Sequence, residues 1–124
     1  MSFYKLMFKS LSDLMKRDEI LNCPIYGSLI QGKSHYFGYF GLTNVCLLVV
    51  LLRGDSKDVI NGTRIPFNNI SKVKVKKSLV PMQYIINIDF CERNSIKIRV
   101  SKKVLGFDMQ EENLEAFLNR IKII

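Results

Sequence analysis

Val45-Cys46-Leu47-Leu48-Val49-Val50-Leu51-Leu52 is an unbroken run of eight apolar residues, and no other stretch of the chain restricts the fold so much. A helix that spans a bilayer needs about 20 such residues, so the run is too short to cross a membrane. It reads as a strand. Because no polar residue alternates with the apolar ones, both faces of that strand have to be covered by protein, which puts it at the centre of a domain. The N-terminal segment is the element at hand to cover one of the two faces.

That segment, Met1 to Arg17, has Phe3, Leu6, Met7, Leu11, Leu14 and Met15 at helical spacing with Lys5, Lys9, Asp13 and Lys16 between them, which predicts an amphipathic helix. It lacks the continuous apolar core and small-residue cleavage site of a secretory signal. From Glu19 onward the period changes to short apolar or alternating runs, the pattern of an all-β barrel or sandwich. Seven strands are expected: Ile20–Leu29, Ser34–Leu42, Val45–Arg53, Thr63–Phe67, Ser71–Lys77, Gln83–Cys91 and Ser95–Val100. Gln31-Gly32-Lys33, Gly54-Asp55, Asn61-Gly62 and Arg93-Asn94 are the expected turns. At the end, Asp108 and Glu111 have the spacing of a capping box, and Leu114, Phe117, Leu118 and Ile121 follow on one face of a helix from about Met109 to Ile121. That apolar stripe requires burial, so the helix is expected across an open end of the barrel. The chain thus divides into a helical extension, residues 1–17, and one β domain, residues 18–124.

Cys23, Cys46 and Cys91 are odd in number and set in apolar runs, which suits reduced core thiols in a cytoplasmic protein. With one histidine, His35, and no Cys-x-x-Cys, the usual zinc sets cannot be assembled in one chain, and no metal or cofactor is expected. No Gly-rich phosphate loop occurs, and Gly38 and Gly41 suit barrel curvature or close packing. Glu111, Glu112 and Glu115 flank the apolar stripe of the last helix as a solvated face, and no nucleophile has a base beside it. The chain is therefore not expected to be an enzyme. The reading left open in its place is a small-ligand protein or minor enzyme using the barrel mouth, which would need a pocket with convergent polar groups.

Charge is the feature that stands out. Between Lys72 and Lys103 nine basic residues face two acidic ones, so this third of the chain carries seven of its eight net positive charges. Strand alternation turns Lys72, Lys74 and Lys76 to one side and Val73 and Val75 to the other, and likewise sets Lys97 and Arg99 opposite Ile96, Ile98 and Val100. These five basic residues form either a solvated outer face that discourages edge pairing or a site for an anionic partner. Nucleic acid is disfavoured because no aromatic residues interleave with them for base stacking. An anionic membrane surface ranks above it, since lysine clusters and an amphipathic helix both suit lipid. For the N-terminal helix, the face of Phe3, Leu6, Met7, Leu11 and Met15 packs on the barrel, on a second copy or other protein partner, or in lipid.

Local wording resembles the GRAM and bacterial pleckstrin-homology families. Gly38-Tyr39-Phe40-Gly41-Leu42-Thr43-Asn44-Val45-Cys46-Leu47 is similar to their glycine-containing strand that ends in Leu-Thr and turns into an apolar strand. Ile65-Pro66-Phe67-Asn68-Asn69-Ile70-Ser71-Lys72-Val73 resembles their next phrase, and Asp18-Glu19-Ile20 their first-strand start. The resemblance covers about Asp18 to Lys122. It implies a mainly β, pleckstrin-homology-like seven-stranded barrel capped by the C-terminal helix, acting as a non-catalytic interaction module. Phosphoinositide-binding members gather basic residues around the loop between their first two strands. Here Ser28 to Phe37 supplies only Lys33 and His35, so no specific phosphoinositide is expected. The expected action is through protein contacts, homo-oligomerisation included, or weak binding at the inner face of an anionic membrane.

Overall fold

In the computed structural model, which describes residues 3–54 and 58–122, the chain begins with helix α1 (Phe3–Ser12) and continues into seven strands. These are β1 (Asn22–Gln31), β2 (Ser34–Leu42), β3 (Cys46–Leu52), β4 (Val59–Pro66), β5 (Ile70–Lys77), β6 (Gln83–Phe90) and β7 (Ser95–Ser101), with a 3-10 turn at Phe67–Asn69 between β4 and β5. Helix α2 (Gln110–Ile121) follows. The strands pair antiparallel in the order β4-β3-β2-β1-β7-β6-β5. The expected barrel is not closed, because β4 and β5 are the two edges of the sheet and do not pair with each other. The sheet curls instead, so that its inner sides meet in one core: Ile25, Phe40, Leu47 and Val49 from one half pack with Ile86, Ile88 and Ile98 from the other.

The eight-residue apolar run explains itself in this arrangement. Leu47 and Val49 of β3 point into the core, while Cys46, Leu48, Val50 and Leu52 point outward into a second cluster with Met7, Leu11, Tyr39 and Phe107. Helix α1 lies on that outer face, and Met7 and Leu11 are wholly buried by it, each worth ~1.5–3 kcal/mol of burial. Phe3 meets the rings of Tyr26 and Tyr39 edge-on at 5.1 and 5.9 Å, Met15 packs at the margin, and Leu6 is half-buried. Of the three destinations open to this helix, the one present is the chain's own sheet, so Met7 and Leu11 have no surface left for a partner. Met1 and Ser2 lie outside the described residues.

Asn61-Gly62 is not a turn, as its sequence suggests, but lies inside β4, opposite Leu51 and Val50. The reason is the helix segment above it: a Cβ on Gly62 would stand 2.7 Å from a methyl of Leu14. The glycine is there for close packing, not for backbone freedom. β4 therefore starts at Val59, earlier than the expected Thr63. Gly32 and Arg93 occupy the left-handed conformation in the turns expected of them (φ 60° and 69°), as does Gly54 (φ 56°); its expected turn neighbour, Asp55, lies outside the described residues. After α1 the connector is pinned to β4 by Arg64, which donates to the Leu14 carbonyl at 3.0 Å and to both oxygens of Glu19, with Nη2 at 2.7 Å from Oε2. These bonds from Arg64, with a further one from the Lys16 N–H, hold the Glu19 carboxyl down at about 2.

Helix α2 buries Leu114, Phe117 and Ile121 in the inner core, with Leu118 half-buried beside them. Its start differs from the expected capping box. The residue before the helix is Met109, which makes no side-chain cap, and the first helical residue is Gln110. Residues 104–107 make a tight turn first, with the Phe107 N–H on the Val104 carbonyl at 3.1 Å. Gln110, 1 % exposed, then accepts from the Tyr26 N–H at 3.0 Å and donates to the Tyr26 and Ser101 carbonyls, each at 2.9 Å. A buried amide thus ties the helix to β1 and β7, where a water-facing cap would have no such reach. Of the three free thiols only Cys46 is fully buried; Cys91 is exposed at the end of β6 because its strand stops at Phe90.

Candidate functional site

Register decides whether the basic residues form a surface. β6 pairs with β5 on one side and β7 on the other, giving the rows Lys74–Asn87–Lys97 and Lys76–Ile85–Arg99 across the sheet, and Lys72–Asp89–Ser95 beside them. Residues directly opposed in neighbouring strands share a face, so Lys72, Lys74, Lys76, Lys97 and Arg99 all stand on the outer side of this half of the sheet. Neighbouring strands lie about 4.8 Å apart and alternate residues of one strand about 6.8 Å apart. The patch is therefore about 10 by 14 Å; nearest neighbours along a strand lie within the Debye length of ~8 Å at physiological salt, and all five cations face the same way. Lys97 is half-buried and the other four are exposed. The ion pairs among the described residues, Lys9–Asp13 and Arg64–Glu19, involve none of the five. Asp89, opposite Lys72, offsets that lysine's charge and leaves about four net charges.

Between this face and the segment after β7 runs an open cleft of about 280 Å³ lined by Tyr26, Ser28, Phe37, Arg99, Lys103 and Leu105 among others. Lys33 sits in the β1–β2 turn and His35 at the start of β2, opposite Ile30, which is itself opposite Lys97; the His35 ring is edge-on to Phe37 at 5.7 Å. The row Lys74–Asn87–Lys97 thus continues through Ile30 to His35 on the same side of the sheet, and Lys33 lies just beyond it. Burial raises the Cys23 thiol above its ordinary value and so disfavours the thiolate a nucleophile requires, while Arg120 opposes that shift in part. Among the described residues no three His, Cys, Asp or Glu side chains gather as metal ligands, and no helix is long and apolar enough to cross a membrane.

Some exposed residues here were not singled out from the sequence. Leu79, Val80 and Met82 in the β5–β6 loop and Leu105 after β7 project into solvent. The signal was available: bulky apolar residues around Pro81, where a loop between solvated strands ordinarily has Gly, Asn, Asp or Ser.

Seven antiparallel strands in this order, followed by a helix packed into the open sheet, define a pleckstrin-homology-like fold. Known structures agree. The C-terminal domain of an unknown protein from Leishmania infantum superposes with a TM-score of 0.63 at 16% identity, over 97% of this chain and 98% of that one. The hSac2 domain of human phosphoinositide phosphatase Sac2 gives 0.62 at 13% identity, over 99% and 82%. The Vps36 N-terminal PH domain gives 0.56 at 18% identity, over 86% of each chain. No family model matches the sequence, and no curated protein matches it.

Proposed function

We propose that this protein is a non-catalytic module that docks reversibly on an anionic membrane surface through the outer face of β5, β6 and β7, in the cytoplasm. Supporting this reading is the register that brings Lys74 beside Lys97 and Lys76 beside Arg99 with one residue between. Each cation near such a surface contributes ~1 kcal/mol, so about four net charges supply ~4 kcal/mol, on the order of a thousandfold in partitioning. The competing explanation is protection of a sheet edge by lysine. It accounts for β5, which is an edge, but not for Lys97 and Arg99, because β7 lies inside the sheet between β1 and β6.

Against a ligand site in the barrel mouth stands the interior itself, filled by Phe40, Phe117, Leu114, Ile86 and their neighbours. Within the pleckstrin-homology superfold, the kinship we assign is the GRAM and bacterial type, on the wording of residues Gly38 to Leu47 and Ile65 to Val73. The test is co-sedimentation with anionic and neutral vesicles at low and high salt, repeated with Lys72, Lys74 and Lys76 changed to Gln. Binding is expected to anionic vesicles at low salt, with loss on either salt or substitution. Equal binding to neutral vesicles, or none at low salt, would end the proposal.

A further inference from the structure

The β5–β6 loop, Ser78 to Met82, presents apolar side chains to solvent: Leu79 is 104 % exposed, and Val80 and Met82 are 50 and 46 % exposed. The loop is nevertheless shaped. The Ser78 N–H donates to the Gln83 carbonyl at 3.0 Å and the Val80 N–H to Ser78 Oγ at 3.2 Å. Met82 stands in the left-handed region at φ 65°, a conformation unfavourable for a bulky residue and a pointer to function where it occurs. The Lys102 N–H donates to the Met82 carbonyl at 2.8 Å, tying this loop to the segment after β7. Three residues further on, Leu105 is 101 % exposed.

Two linked loops at one end of the sheet thus hold bulky apolar groups out in water, and cations surround them. Lys76 and Lys77 end β5, Arg99 lies near the end of β7, and Lys102 and Lys103 follow it. The acidic groups on that side are Asp108, Glu111 and Glu115, which line clefts with Lys102 and are outnumbered by the five cations. Exposed apolar side chains inside a cationic collar complement one surface in particular, a bilayer with anionic headgroups, where phosphates meet the collar and leucines enter the acyl boundary.

We infer that Leu79, Val80, Met82 and Leu105 form a wedge that inserts into an anionic lipid surface and fixes the protein's orientation on it. The inference rests on the membrane reading of the basic face and deepens it, since the Lys76–Arg99 row adjoins the wedge and tilts this end of the sheet toward the lipid. The chain has no tryptophan, so Leu79→Trp and Leu105→Trp each introduce a single reporter at an exposed position. With vesicles of phosphatidylserine and phosphatidylcholine at low salt, both variants should show blue-shifted emission that brominated lipid quenches. With phosphatidylcholine alone they should show neither. Replacing both leucines by Ser should weaken partitioning on the order of tenfold per leucine and leave the melting temperature unchanged. Protein that sediments with anionic vesicles while both reporters stay unshifted and unquenched would overturn the wedge and leave the basic face standing. Failure to sediment at low salt would remove both. Emission already blue-shifted without lipid, and reverting on dilution, would refute the wedge in favour of a second copy covering these loops.

Discussion

Replacing Leu11 by Ala tests whether α1 is part of the fold. The side chain is wholly buried in the outer cluster with Met7, Tyr39, Leu48 and Val50, and its Cδ1 lies 3.3 Å from where a Cβ on Gly41 would sit. The substitution removes three carbons, ~2.4 kcal/mol of transfer at ~0.8 kcal/mol each, and a partly collapsed cavity brings the loss to about 3 kcal/mol. With an unfolding entropy of about 2.1 cal/mol/K per residue, 124 residues give a fall in Tm of roughly 10 °C. The control is Phe8→Ala on the same helix, where the ring is 44 % exposed and the loss should be well under half as large. Urea denaturation followed by circular dichroism reads both, with an unchanged slope showing that only stability has moved. A midpoint for Leu11→Ala no lower than that for Phe8→Ala would refute the docking of α1.

Other expectations follow from the same contacts. Phe117→Ala empties the middle of the inner core and should cost ~3–5 kcal/mol by denaturant titration. Gln110→Leu strips the partners from the Tyr26 N–H and from the Tyr26 and Ser101 carbonyls; it should cost ~2–3 kcal/mol, and native-state hydrogen exchange should show Tyr26 losing protection first. Glu19 is held at about 2 against an ordinary 4.5, so its contribution is present above pH 4.5 and lost as pH falls toward 2. Glu19→Gln should therefore lower Tm at pH 7 and lower it much less at pH 2, and an equal deficit at both would dismiss the Arg64 pairing as its cause.

Most of the fold was legible because periodicity is a local property. The uninterrupted run demanded cover on two sides, and from Cys46 to Leu52 it has it, with α1 on one of them, whereas Val45 lies before the strand and is exposed. What sequence alone missed depends on distant neighbours. Asn61-Gly62 has the composition of a turn, and only the Leu14 side chain, far away in the chain, makes that glycine a strand residue. Gln110 looks like an ordinary helix-surface residue until the 104–107 turn brings it against β1. The basic residues were found from alternation along each strand, but whether β5 and β7 shared a face turned on the register of β6 between them. The apolar loop at Leu79 to Met82 needed no distant information; it was read as a bare connection between two strands.

The most direct test of the account removes equal charge from two places. Lys74, Lys76 and Lys97, drawn from both strands of the face, are changed to Gln in one variant. Lys9, Lys16 and Lys122, exposed elsewhere, are changed to Gln in the other. Partitioning onto phosphatidylserine vesicles is then measured at low and physiological salt. At ~1 kcal/mol per lysine, the first variant should bind about a hundredfold more weakly than the unaltered protein at low salt, and the second should bind nearly as well as it. Equal losses in the two variants would mean that net charge alone governs binding, and would contradict the assignment of the β5–β7 face.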